Sequence, residues 1–336
     1  MAATPQKRRG MPSWFTSREA GMVVALLALC ALILLSGERA RGTFLSSENQ
    51  RNLWRQVALL GIFAIGETFV IVTAGIDLSV GSVIAFTGVL AALCMSSPQT
   101  NGVNGPGLSA PIAVLAALAA ALGVGAVHGL LVGWLNLPPF VATLGTMGAL
   151  RSAARVITGA IPISVTNASF IFLGNGKPWG IPAPFLIMGA AAVVSIVMMH
   201  ATTWGRYIYA VGANEEAVRL SGVGVRRVKM LAYMGGSLLA GVAGVVHAAY
   251  NFQGDPAGGV AYELNAIAAA VIGGCSLAGG QGSVIGTLIG ANIFCVVLNG
   301  LPLIIAVNAS LWEGIVVGTV VIGAVTFNVL RQRRGA

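Results

Sequence analysis

Ten apolar runs of bilayer-burying length, separated by short polar joints, govern what this chain can fold into. They cover residues 20–36, 56–73, 78–95, 111–135, 140–157, 183–201, 228–250, 264–277, 283–298 and 311–330. A helix needs about 20 apolar residues to cross the hydrocarbon core. Backbone groups inside that layer must satisfy one another, which favours helices. Only 9% of the 336 residues are charged, and the mean hydropathy is +0.86. Soluble domains carry about 25% charged residues, so this composition belongs in a bilayer. The expected fold is all-α: a polytopic membrane protein of about ten transmembrane helices, some of them short.

Lys and Arg set the expected orientation. The basic N-terminal tail, residues 1–19, holds Lys7, Arg8, Arg9 and Arg18, and the tail at 331–336 holds Arg331, Arg333 and Arg334. Both are expected in the cytoplasm, which an even number of spans allows. Residues 20–330 then form the transmembrane domain. The uncharged joint at 96–110 falls outside on this count. The joint at 37–55 also falls outside, although it carries Arg39, Arg41, Arg51 and Arg55. The first run has the basic start of a signal peptide, but Gly37-Glu38-Arg39 follows it, so an uncleaved anchor is expected. The net charge of +9 lies mainly at run ends, which the positive-inside rule explains without nucleic acid. Cys30, Cys94, Cys275 and Cys295 all lie in apolar stretches with no CxxC spacing, and read as packing residues.

Gly75-Ile-Asp-Leu-Ser-Val-Gly-Ser-Val-Ile84 is echoed by Gly274-Cys-Ser-Leu-Ala-Gly-Gly-Gln-Gly-Ser-Val-Ile285, with two extra residues in the second copy. Interrupted hydrophobic segments in corresponding positions are a transporter signature. Asp77 and Ser79 admit two compatible readings, a helix cap at a bend or a half-helix end beside a translocation path. Glu67 is a carboxylate midway along an apolar run, either neutralised in place or on the path. Arg151 and Arg155 share one helix face, reaching headgroups or lining an outer vestibule. Gly125, Gly129 and Gly133 form a stripe for close helix packing, and Gly286 and Gly290 repeat the spacing. His128 and His247 read as hydrogen-bonded polar groups. Gly235-Gly-Ser-Leu238 with His247 downstream has the outline of an intramembrane serine protease, but small residues surround it. No phosphate-cradling GxxxxGK[ST] exists, since Lys177 is followed by Pro178.

The stretch 205–229 holds seven of the 29 charged side chains, and so must lie in water. Asn214 or Ala213 can cap a short helix whose first turn holds Glu215 and Glu216, favoured by the helix dipole. Gly222 and Gly224 would end it. Start and stop signals on a polar loop, here 202–229, suggest an ordered cytoplasmic docking helix. Arg226, Arg227 and Lys229 are expected to anchor the next span at the headgroups.

Glu216-Ala217-Val218 through Gly222 resembles the EAA loop of ABC-importer permeases, with Val218 for the second alanine. Longer strings are similar to the ribose/xylose-type sugar permeases, in the superfamily that also holds the branched-chain amino-acid permeases. These are Thr73-Ala-Gly-Ile-Asp-Leu-Ser-Val-Gly-Ser82, Leu137-Pro-Pro-Phe-Val-Ala-Thr-Leu-Gly145, Gly205-Arg-Tyr-Ile-Tyr-Ala-Val-Gly-Ala-Asn214, Ala217-Val-Arg-Leu-Ser-Gly222, Tyr262-Glu-Leu-Asn-Ala-Ile-Ala-Ala-Ala-Val-Ile-Gly-Gly274 and Gly282-Ser-Val-Ile-Gly-Thr-Leu-Ile-Gly-Ala291. They occur in order from about residue 55 to the C-terminus. Asn265 departs from the pattern, which would carry Asp there.

The resemblance implies a permease subunit in a bacterial inner membrane, with no cofactor of its own and ATP and Mg held by partner ATPase subunits. A periplasmic binding protein would deliver a sugar, and a second permease copy would complete the pore. ATPase coupling would fall to Gly212, Asn214, Glu215, Glu216, Ala217, Arg219, Ser221 and Gly222. Candidates for the translocation path are Glu67, Asp77, Ser79, Thr143, Thr146, Asn292 and Asn299. An amino-acid permease of the same superfamily and an ion-coupled secondary transporter using Glu67 and Asp77 are the alternatives.

Overall fold

The computed structural model describes residues 17–98, 103–305 and 309–335. The residues of the basic N-terminal tail before Ser17 lie outside these, as do 99–102 of the outer joint. Fourteen helices follow one another among the described residues: α1 (Ser17–Leu35), α2 (Glu38–Leu45), α3 (Ser47–Val72), α4 (Val80–Met95), α5 (Ala110–Gly133), α6 (Pro139–Thr158), α7 (Ala168–Asn175), α8 (Ala183–Ala201), α9 (Thr203–Ala213), α10 (Glu215–Leu220), α11 (Val225–Tyr250), α12 (Tyr262–Ile272), α13 (Val284–Ile304) and α14 (Ala309–Gly335). One two-residue antiparallel pair, β1 (Ile163–Ser164) with β2 (Gln253–Gly254), ties the α6–α7 and α11–α12 joints together.

Each apolar run becomes helix, and five helices, α3, α5, α8, α11 and α13, are long and apolar enough to cross a membrane. Three boundaries differ from the sequence expectation. The joint at 37–55 is α2 plus the opening turns of α3, because Ser46 caps α3 by accepting from the Asn49 amide at 3.2 Å. That places Arg55 on α3, with its guanidinium 5.3 Å from the Tyr250 ring centroid. The run at 264–277 keeps only the 11-residue α12, too short to cross alone, because the chain breaks at Gly273 and Gly274. The extra α9 fills much of the polar stretch, capped by the Thr202 hydroxyl accepting from Gly205 at 3.1 Å.

α3 and α11 form the centre. α3 is buried along almost all of its apolar length, whereas α5 and α8 bury only about a third of theirs. In a bilayer, burying Leu against Leu gains little over lipid, so close backbone approach decides which helices pair. The glycine stripe does this for α5: a side chain at Gly125 would strike the backbone of Met234, and one at Gly129 would strike Met230. Gly66 of α3 and Gly236 of α11 meet in the same way.

Both copies of the repeated string lie at helix breaks. The first joins α3 to α4 and the second joins α12 to α13. The two breaks differ in their caps. Ser283 accepts from the Gly286 amide at 2.8 Å, whereas Ser79 starts α4 without a side-chain cap and is itself held by Asp77.

Candidate functional site

Three places carry the polar chemistry of the described residues: a closed network at the first break, the water-facing α9–α10 segment, and an open cavity on the opposite side.

The network gathers five of the seven path candidates. Glu67, Asp77, His128 and Tyr233 are each 1% exposed or less. Glu67 Oε1 accepts the Asp77 amide at 3.2 Å. Asp77 Oδ1 accepts both the Ser79 amide (2.8 Å) and the Ser79 hydroxyl (2.6 Å), the cap-like arrangement expected at a bend. Thr143 Oγ1 accepts the Leu78 amide at 3.1 Å and donates to the Pro139 carbonyl at 2.9 Å, pinning α6 to the break. Thr146 bonds His128 Nε2 at 2.6 Å, and His128 Nδ1 lies 3.9 Å from Asp77 Oδ2. Sequence reasoning missed Tyr233. Its hydroxyl reaches the break so closely that a side chain at Gly75 would meet it at 2.6 Å. The available signal was a polar tip inside the apolar run 228–250.

The remaining candidates separate. Asn292 donates to the Leu288 carbonyl at 2.9 Å on its own helix. Asn299 exchanges amide hydrogen bonds with Asn49 at 3.0 and 2.9 Å. Arg151 turns onto the Gly258 and Gly259 carbonyls, half-buried. His247 bonds Asn251, its neighbour one turn on, at 3.1 Å. Ser237 and His247 lie ten residues apart on α11, roughly 15 Å along its axis, so they form no nucleophile–base pair. Cys30, Cys94 and Cys295 are free thiols. Among the described residues, no three His, Cys, Asp or Glu side chains gather as a metal would require.

The α9–α10 segment folds as its caps dictate. Asn214 accepts the Ala217 amide at 2.9 Å, Glu215 and Glu216 occupy the first turn of α10, and Gly222 ends the motif at φ +80°. Every residue of α10 except the half-buried Val218 is exposed, with Leu220 at 79%. Glu216 and Arg219 pair at 2.6 Å. That hydrogen bond, together with the Glu216 charge, raises the Arg219 guanidinium above its ordinary value. Lys229 is not a free headgroup anchor, because its ammonium holds Glu215 at 2.7 Å and ties α11 to α10. Behind this exposed face, Gly212 closes α9 against the end of α3 and the second break. The Gly280 amide donates to the Val72 carbonyl at 2.9 Å directly beside it, and Tyr209 donates to the Gly282 carbonyl at 2.9 Å. One rigid contact therefore joins the water-facing segment to both breaks.

On the opposite side lies a cavity of about 400 Å³ between α3, α12, α13 and α14, with Asn299 among its lining residues. Asn265, the position at which the quoted string departs from its pattern, also lines it.

The family described as "Branched-chain amino acid transport system / permease component" matches residues 50–325. The chain belongs to this family. It is 42% identical to the ribose import permease protein RbsC of Escherichia coli K12 over 84% of this chain and 85% of that protein. Identity to the RbsC of Bacillus subtilis is 40%, over 84% of this chain and 85% of that protein. Identity to the xylose transport system permease protein XylH of Escherichia coli K12 is 31%, over 93% of this chain and 92% of that protein. No solved structure matches. Family membership and the long apolar helices together make this permease a multi-pass, all-α membrane protein.

Proposed function

We propose that this permease is the membrane-spanning subunit of an ABC importer and that its cargo is a sugar of the ribose or xylose class. The observation that carries the reading is the similarity to ribose and xylose permeases over most of both chains. The three carboxamides and the aromatic rings that line the large cavity support a polyhydroxylated cargo. In this reading the chain crosses a bacterial inner membrane ten times with both ends in the cytoplasm. α12 and the break after it together make one crossing. Residues 1–19 and 331–336 are then cytoplasmic tails around the permease domain at 20–330.

The exposed α10, with Gly212, Asn214, Glu215, Glu216, Ala217, Arg219, Ser221 and Gly222, receives a separate ATPase subunit that holds ATP and Mg. Closure of the ATPases moves α9, and the Gly212 contact carries that movement to the breaks after α3 and α12. A periplasmic binding protein delivers the sugar outside, and a second permease copy shares the pore. Catalysis stays on the ATPase.

Uptake of labelled ribose and xylose in cells with and without the gene tests the reading. Deletion should abolish uptake of one of them, and uptake should follow cellular ATP. Uptake that survives ATP depletion and falls when the proton gradient collapses would make the chain a secondary transporter instead.

A further inference from the structure

The 400 Å³ cavity contains chemistry that neither the network nor the coupling segment uses, and the following assignment rests on the sugar reading above. Gln56, Asn265 and Asn299 bring three carboxamides to its wall, and Glu313 brings a carboxylate. A carboxamide both donates and accepts, and a carboxylate accepts from two hydroxyls, so the set matches vicinal hydroxyl groups. Phe63 and Tyr262 stack with centroids 5.5 Å apart and planes at 11°, adding an aromatic surface for the C–H face of a sugar ring. Among the described residues no Lys or Arg lines the cavity, which leaves an anionic cargo without a cationic partner there. The volume lies within the range of small-molecule sites, which starts at about 300 Å³.

Two further cavities lead away from it. One of about 210 Å³ shares Gln56, Leu59 and Tyr262 with it and adds Arg55 and His247. The next, about 290 Å³, shares Arg55 and is lined by charged groups including Glu48, Arg51 and Lys177. Tyr262 stands between the first two cavities, with its ring edge-on to His247 at 5.9 Å.

We propose that the large cavity is a transit site for a neutral sugar inside the permease, and that Tyr262 is the partition the sugar passes. The carboxamides hold the sugar loosely. Asn299 already spends part of its hydrogen bonding on Asn49, so occupancy exchanges bonds and adds few.

The test uses cells carrying the whole importer with Asn265→Cys or Gln56→Cys. A membrane-impermeant methanethiosulfonate reagent is applied with and without saturating free ribose or xylose. The wild type, whose buried Cys295 lines the same cavity, sets the background. The introduced cysteines should react, and the transported sugar should slow the reaction at both positions. Uptake by Gln56→Ala/Asn265→Ala should fall about thirty-fold, as two lost neutral hydrogen bonds imply, with unchanged amounts of assembled complex. Cysteines that fail to react, or that react equally fast with sugar present, in a wild type that transports, would overturn the site alone. A wild type that moves no sugar would overturn the sugar reading and this site with it.

Discussion

A single methyl group at Gly212 should separate the water-facing segment from the helix breaks. The Cβ of Gly212→Ala would lie well inside contact distance of the Val72 carbonyl oxygen and the Gly280 amide nitrogen, and 3.0 Å from the Val72 carbonyl carbon. All three are backbone atoms, so no rotamer change relieves the clash. α9 must withdraw by roughly 1 Å, an overpacking that costs about 1–3 kcal/mol. The withdrawal also loosens the Gly280–Val72 hydrogen bond of 2.9 Å and the Tyr209–Gly282 bond of 2.9 Å, each worth about 1 kcal/mol net. The total of about 3–5 kcal/mol falls on one contact and spares the rest of the bundle. Thermal unfolding of the purified importer and sugar-stimulated ATP hydrolysis should report it separately. Gly212→Ala should lower the melting temperature, and ATP hydrolysis should continue with little sugar uptake. Gly189→Ala is the control, because nothing lies within 4 Å of a Cβ there. A Gly212→Ala importer that melts and transports like the wild type would refute the argument.

Asn214→Ala removes the cap of α10, a local loss of about 1 kcal/mol, and hydrogen exchange across 214–222 should speed up while the spans stay protected. Glu216→Lys reverses the charge facing Arg219, and should prevent co-purification of the ATPase while the chain still inserts. Glu67→Gln keeps an oxygen for the Asp77 amide and should be tolerated. Glu67→Leu orphans that buried amide at a cost of about 1–3 kcal/mol, and should lower the melting temperature more than Glu67→Gln does. Gly125→Leu should destabilise more than Gly123→Leu, because the α11 backbone lies against Gly125 and open space faces Gly123.

The helices were legible because bilayer thickness fixes how long an apolar run must be. α10 was legible because Asn214, the paired acids and Gly222 are local signals, and a capped helix on an exposed loop has little else to obey. α12 was misread for a related reason. The run at 264–277 is apolar apart from Asn265 and Ser276, and Gly274 at φ +92° ends its helix at the start of the repeated string, inside the run rather than after it. Lys229 stood at a span end, where position suggests headgroups. Its pairing with Glu215 needs the turn at Gly222–Gly224, which brings positions 14 residues apart together. The large cavity was least legible. Gln56, Asn265, Asn299 and Glu313 come from four helices, and each alone is an isolated polar residue at a run end or inside one. Of the seven path candidates, Asn299 lines this cavity and Asn292 bonds its own helix, while Glu67, Asp77, Ser79, Thr143 and Thr146 are drawn together at a buried break. Such a break must be satisfied whatever the chain transports.

This permease should move a sugar through the membrane with energy supplied by ATP bound to another chain. Proteoliposomes test it most directly. The purified permease, its co-purifying ATPase and the binding protein are reconstituted together, with ATP enclosed or omitted. Labelled ribose or xylose should accumulate only when ATP is enclosed and all three proteins are present. Sugar accumulation by the permease alone under an ion gradient, or no accumulation of either sugar by the full set with ATP, would contradict the account.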